Sequence, residues 1–379
     1  MSKSCVFIHS EELDSGGYPP HCPFNTSRAG KTRRMAAGMG LLAGQGFREE
    51  APQRAAMEEL ARFHAPDYLD TLKNMRADSV DAKSLALGIG LVDCPAFNGM
   101  FDYLALAVGG TLTGARLILK GQADIVFNPS GGFHHAAPAS ASGFCFINDI
   151  VLGAMVFARH GLKVAILDID VHHGDGVQDA FYARNDILAI SLHEDGKTLF
   201  PGSGAIYETG IGKGRGYTVN IPFPVETYNG AYYKAFSEIA LPALQQFHPD
   251  VLVLELGMDA LAGDPMAHLN LTNTVYIDII RDVIHLNVPI LATGGGGYNV
   301  ENTVRAWILA WSVLCDRYED DLNIGMGGVM MENTDWLGGL KDRELVLEEE
   351  KRGFIDANVE AVISEINEQD TPWQFGSSI

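Results

Sequence analysis

Short apolar runs and longer helix-like segments alternate along most of the chain. The stretch Lys163 to Asp168, with Val164-Ala165-Ile166-Leu167 at its centre, is apolar at consecutive positions and short. That is the pattern of a strand buried on both faces of a parallel sheet. Further strands are expected at 5–9, 124–127, 186–192, 217–221, 251–256 and 289–293. Helical periodicity covers 26–44, 57–64, 66–75, 99–120, 148–160, 229–247, 273–286 and 300–314. The segment 12–25 holds Gly16-Gly17, Pro19-Pro20 and Pro23 and reads as a loop. Residues 79–98 are broken by Gly and Pro, and 194–216 form a Gly-rich loop. The tail from Leu340 to Gln369 is acidic and expected to be partly helical. No repeat or linker interrupts this alternation, so residues 1–379 are expected to form one domain. Its class is α/β, a central parallel β-sheet with helices on both faces.

Unusual residues stand where these strands end. Leu167 to Gly176 reads Leu-Asp-Ile-Asp-Val-His-His-Gly-Asp-Gly, three aspartates and two histidines leaving a buried strand. Asp170 and His172 are two apart, so on extended backbone they point the same way. His134-His135, Asp259 and Tyr298 follow three other expected strands. In a parallel sheet all such ends lie on one edge, where ligands bind, so the four groups can meet. Asp170, His172 and Asp259 together make a three-ligand metal site with a position left for water, suited to Zn²⁺ and also to Fe²⁺. For Asp259 alone a helix N-cap is the competing reading. The two histidines fit a general base and an electrostatic helper, with Asp168 and Asp175 as orienting carboxylates. Gly294 to Gly297, before Tyr298, either turn the chain flexibly or hold a phenol able to donate to a developing oxyanion. A phosphate-binding role lacks the GxGxxG spacing or Walker-type lysine it needs.

Composition narrows the class. Of 379 residues, 47% are hydrophobic and 20% charged, which excludes a disordered chain. No apolar run reaches the ~20 residues of a membrane span. The N-terminus runs straight into a strand without an apolar leader, so a cytoplasmic location is expected. Five cysteines without close pairs fit reduced thiols. A net charge of −21 argues against a nucleic-acid partner and favours cationic substrates.

Six stretches resemble the zinc-dependent histone deacetylase family, which has the arginase–deacetylase fold. They are Gly131 to Ala136, Ser142 to Asp149, Leu167 to Gly176, Phe200 to Gly204, Ala262 to Pro265 and Gly294 to Asn302. The set spans residues ~90 to 315 in family order and is highly specific. Tyr18 to Arg28 looks more like the bacterial acetoin-utilisation-type deacetylases, which are class I-like; the last ~60 residues carry no recognised motif. The resemblance implies removal of acetyl or related acyl groups from lysine side chains of proteins or peptides. It assigns Asp170, His172 and Asp259 to the metal, His135 with Asp175 to acid–base work, His134 with Asp168 to electrostatic support, and Tyr298 to the oxyanion. It places Gly143, Phe144, Phe200 and Met266 on the walls of an acyl-lysine tunnel, and Asp93 on its rim. An inner K⁺ or Na⁺ site would use Asp168, Asp170, His172, Ser191 and Leu192. Met258, where many relatives have alanine, and Ala136-Ala137-Pro138, less charged than in several relatives, depart from the pattern.

Three rival readings remain in view. A dinuclear manganese ureohydrolase would need further carboxylates where this chain has Gly174 and Leu261. A non-catalytic binding module would have lost a ligand, a histidine or the phenol. An acetylpolyamine amidohydrolase shares the chemistry, but polyamine-selective relatives carry a glutamate near the position of Met266.

Overall fold

Each expected strand forms in the computed structural model, which describes residues 3–318 and 339–375. The strands are β1 (Cys5–Ile8), β2 (Phe47–Glu50), β3 (Ile125–Asn128), β4 (Val164–Asp168), β5 (Ile187–Glu194), β6 (Thr218–Phe223), β7 (Val251–Glu255) and β8 (Ile290–Thr293). They make one sheet in the order β2-β1-β3-β8-β7-β4-β5-β6, and every pairing is parallel. Alternate residues serve two cores. Phe7, Phe127, Leu167, Ile190 and Leu254 face the helices at Asn273–Ile284, Val300–Leu314 and Glu349–Asn367. Val6, Val126, Ile166, Val253 and Leu291 face those at Met100–Leu119 and Asp149–Ala158. Burial on both sides is why these runs lack polar alternation.

β3, β8, β7 and β4 are successive neighbours in the sheet although far apart in sequence. The loops that leave their carboxyl ends therefore converge. They are the loops carrying the paired histidines, Tyr298, Asp259 and the Asp170–His172 segment.

The sequence reading missed β2. Phe47-Arg48-Glu49-Glu50 is an edge strand with charged residues and no apolar run, and only its pairing with β1 makes it extended. Within the expected loop at 12–25, the chain opens with a short helix, Glu11–Ser15, capped by the Ser10 hydroxyl. Helix 26–44 is shorter than expected, Ser27–Gly38, because Gly40 turns left-handed just past the Met39 cap. A helical turn at Ala82–Ala86, capped by Asp81, interrupts the Gly- and Pro-broken segment. Helix 229–247 passes through a π-turn at Phe236–Ala240 just before Pro242, where the ladder must drop a donor. In the tail, Glu349–Asn367 is helical, and Ile355, Val359, Ile363 and Ile366 join the core. The Trp373 indole N–H donates to the Gly216 carbonyl at 2.6 Å. Part of the motif-free C-terminal ~60 residues lies outside the described residues. Among the described residues, no helix is long and apolar enough to cross a membrane.

Candidate active site

Backbone turns after β4 and β7 bring Asp170, His172 and Asp259 together. Their ligand atoms lie within 4.8 Å of one another and all three side chains are buried. His172 Nδ1 faces both carboxylates, 3.1 Å from Asp170 Oδ1 and 3.0 Å from Asp259 Oδ2. The remaining oxygens are held: Asp170 Oδ2 accepts from the Gly296 N–H at 2.7 Å, and Asp259 Oδ1 from the Val171 N–H at 2.9 Å. Burial alone would pull His172 down, but the two carboxylates outweigh it and raise the imidazole to about 10. Burial and Asp170 push Asp259 up to about 7. Two buried carboxylates and one imidazole aimed at a common point call for positive charge, and the donor set fits a divalent cation of the zinc kind.

The glycine run after β8 is packed rather than merely flexible. A Cβ on Gly296 would sit 1.9 Å from Asp259 Oδ2 and 2.9 Å from Asp170 Oδ2. Only glycine lets this backbone lie against the ligands. The Arg28 guanidinium, itself buried, donates to the Gly297 carbonyl at 2.6 Å and the Gly295 carbonyl at 2.9 Å. Tyr298 is set by its N–H, which donates to Asp264 Oδ2 at 2.7 Å. Its ring centroid lies 6.3 Å from that of His172.

The histidine pair follows β3. Asp149 accepts from the N–H groups of Gly132 and Phe133 at 3.0 and 2.8 Å, and Asn148 donates to the carbonyls of His134 and Ala136, both at 3.1 Å. His134 Nδ1 meets Asp168 Oδ2 at 2.9 Å, and His135 Nδ1 meets Asp175 Oδ1 at 2.8 Å. The two Nε2 atoms are 2.9 Å apart and share one proton. With a proton on each Nδ1 facing its carboxylate, the shared proton belongs to one ring, which is then an imidazolium. Burial opposes charge on His134, but Asp168 and Asp170 overcome it and hold that ring at about 9. Burial and the charge on His134 drop His135 to about 4. His134 is thus the charged partner and His135 the free base.

Around this centre stand the expected wall residues. The Phe200 ring is 5.0 Å from His135 and about half exposed, and Phe144 is 5.6 Å from Tyr298. Asp93 builds the turn between them: its Oδ2 accepts from the Gly143 N–H at 2.9 Å and its carbonyl from Phe144 N–H at 3.0 Å. The Tyr18 hydroxyl donates to the Phe144 carbonyl from behind. Met266 packs, partly buried, against the same apolar cluster as Tyr298 and Phe144. Ser191 pairs in register with Asp168, and its hydroxyl meets His193 Nδ1 at 2.8 Å. The Leu192 carbonyl accepts from Tyr232 at 3.3 Å. Arg28, Asp264, Asn148 and Asp149 all carry structural duties here that the sequence reading did not assign. Asp264, Asn148 and Asp149 lie inside stretches that carried the family resemblance, and Arg28 closes the stretch that looked like the acetoin-utilisation type.

A parallel α/β sheet with a buried Asp–His–Asp centre, two carboxylate-backed histidines and a facing phenol defines a hydrolase site. Residues 22–314 match the histone deacetylase domain. Histone deacetylase 8 of Danio rerio is 37% identical over 312 residues, covering 81% of this chain and 80% of that protein. Histone deacetylase 8 of Xenopus tropicalis is 37% identical over 318 residues, covering 82% and 84%. A crystal structure of a histone deacetylase homologue complexed with SAHA superposes with a TM-score of 0.83 at 30% identity, covering 96% of this chain and all of that one. One from Aquifex aeolicus gives a TM-score of 0.82 at 29% identity. The chain belongs to the histone deacetylase family and has its arginase–deacetylase fold. It is a deacetylase, a hydrolase acting on amide bonds.

Proposed function

We propose that the protein removes acetyl or related acyl groups from lysine side chains of proteins or peptides, using one divalent metal ion, Zn²⁺ or Fe²⁺, and releasing a carboxylate and a free amine. The observation that carries this reading is the convergence of the free base His135 and the phenol of Tyr298 on the Asp170–His172–Asp259 centre. We further assign residues 1–379 to a single catalytic domain working in the cytoplasm, with neither nucleic acid nor membrane as a partner. K⁺ or Na⁺ is assigned to the inner site at Asp168, Asp170, His172, Ser191 and Leu192.

The metal held by Asp170, His172 and Asp259 would polarise the amide carbonyl and lower the pKa of a bound water. His135 Nε2 exchanges the His134 Nε2–H for the attacking water and accepts its proton, while Asp175 holds the Nδ1–H in place. His134 stays charged beside it, backed by Asp168, and favours the negative charge that develops on the carbonyl oxygen. The Tyr298 hydroxyl donates a hydrogen bond to that oxygen. The proton on His135 then passes to the departing amine nitrogen. Phe144, Phe200 and Gly143 line the lysine methylenes and exclude water, and Asp93 at the rim accepts from backbone amides of a peptide.

The alternative substrate is an acetylated polyamine, whose second ammonium would need a carboxylate on the wall. The thioether of Met266 cannot provide one and suits methylenes instead. The test compares kcat/KM for an acetyl-lysine peptide with that for acetylspermidine and acetylputrescine, then repeats it with Met266→Glu. The peptide should be favoured, with the gap narrowed by the substitution. A wild-type preference for polyamines of about tenfold, ~1.4 kcal/mol in the barrier, would overturn the choice of substrate.

A further inference from the structure

Glu255, the last residue of β7, takes no part in the chemistry above, yet it is wholly buried. The sheet forces it into place. It pairs in register with Asp168 on β4 and Thr293 on β8, so it leaves the sheet on the same face as Asp168. Its Oε2 accepts from the Gly257 N–H at 2.8 Å. Its Oε1 has no hydrogen-bond partner among the described residues. That oxygen lies against the backbone of Gly295, where a Cβ would be 1.9 Å away. A buried carboxylate oxygen without a partner is costly, and such groups are ordinarily paired or bound to a cation.

Three ligand atoms surround this point. Those of His134, Asp168 and Glu255 lie within 4.8 Å of one another, and all three side chains are buried. The charges near them do not balance. Asp170 and Asp259 answer to the catalytic cation, and Asp168 to the imidazolium of His134 and to the inner K⁺ or Na⁺ assigned above. Glu255 has no such counterpart, so without a cation it must hold a proton: burial together with Asp168 and Asp170 pushes its carboxyl well above the ordinary range. One neutral imidazole and two carboxylates around a divalent ion would be neutral overall, and this is the same donor set as the catalytic centre.

We propose that His134 Nδ1, Asp168 and Glu255 form a second divalent-cation site of the zinc class, behind the catalytic centre, sharing no ligand with it and sharing Asp168 with the inner K⁺ or Na⁺ site. The cation displaces the proton on His134 Nδ1 and the one held by the buried Glu255 carboxyl, and both leave to solvent. His134 keeps its Nε2–H toward His135 but loses its charge. Occupancy would therefore weaken the support that His134 gives the reaction.

Metal-free protein is equilibrated with buffered free Zn²⁺ of rising concentration, and bound metal is counted for wild type, Glu255→Gln and His172→Ala. Glu255→Gln keeps the shape and the acceptor for Gly257 but removes the anionic ligand. Wild type should take two equivalents. Glu255→Gln should take one, its affinity for the second falling by about tenfold or more. His172→Ala should lose the catalytic equivalent and keep the other. Co²⁺ absorption bands of the catalytic centre, retained in Glu255→Gln, show that this variant is folded. Wild type that saturates at one equivalent, as it would if Glu255 simply holds a proton, overturns the proposal, and so does a Glu255→Gln variant that still binds two. If Glu255→Gln fails to fold, His172→Ala decides: one equivalent supports the site and none refutes it. Activity at the first equivalent tests the deacylase reading separately.

Discussion

Gly143→Ala adds one methyl group at the point where the wall of the site meets the general base. At that position φ is +54°, and a Cβ would lie 2.5 Å from His135 Cδ2, 3.1 Å from His135 Cγ and 2.9 Å from Phe200 Cε1. Carbon atoms rest at about 3.5–4 Å, so the overlap with the imidazole is on the order of 1 Å. The backbone cannot easily yield, because the Gly143 N–H is held by Asp93 and the next N–H by the Asp93 carbonyl. His135 is tied on its other side to Asp175 and His134. The imidazole must therefore swing by about 1 Å, and a misplacement of that size costs ~10²-fold in rate, ~2.7 kcal/mol. The left-handed backbone adds about 1–2 kcal/mol of destabilisation for any residue with a Cβ. The assay is kcat/KM on an acetyl-lysine peptide with one equivalent of bound zinc, beside thermal unfolding. A variant that retains zinc and stays folded but loses ~10²-fold is expected. Near-wild-type activity would refute the claim that this turn abuts the general base.

Two further outcomes are expected. Tyr298→Phe should fold and bind metal normally, with kcat lowered by ~10²–10³ and KM changed less, as for loss of an oxyanion donor; full activity would make the phenol structural. The third outcome concerns His64, which lies buried under Asn148 and accepts its N–H at 3.0 Å, and which burial lowers to about 4. The unfolded chain binds that proton at about 6.5, so stability is lost as pH falls from about 6.5 to about 4, by up to ~3 kcal/mol. His64→Gln should flatten this part of the stability–pH curve, and an unchanged slope would show that His64 does not set it.

How far the sequence carried the reading depended on whether each signal was local. Val164 to Leu167 and Val251 to Leu254 are apolar at every position because both faces of the sheet are covered, so their runs could be read directly. Phe47 to Glu50 had no such run, since an edge strand takes its identity from a single neighbour. His134, His135, Asp170, His172, Asp259 and Tyr298 were legible because polar groups of this kind are rare at the ends of buried strands. Arg28 was not, because the carbonyls it holds lie 267 and 269 residues away. Glu255 looks in sequence like the ordinary polar end of a strand. Only the register with Asp168 and the packing on Gly295 single it out. Asn148-Asp149 left a fainter local trace, two polar residues opening an otherwise apolar helix.

The claim on which the rest depends is that Asp170, His172 and Asp259 hold one catalytic metal ion that the hydrolysis of an acyl-lysine amide requires. Acetate release from an acetyl-lysine peptide, measured as zinc is added back to metal-free protein, tests it most directly. Activity should be absent at the start, rise in proportion to added zinc and reach its maximum at one equivalent per chain, with Asp259→Asn inactive at any zinc concentration. Full activity without metal, or a maximum reached only at two equivalents, would contradict the account.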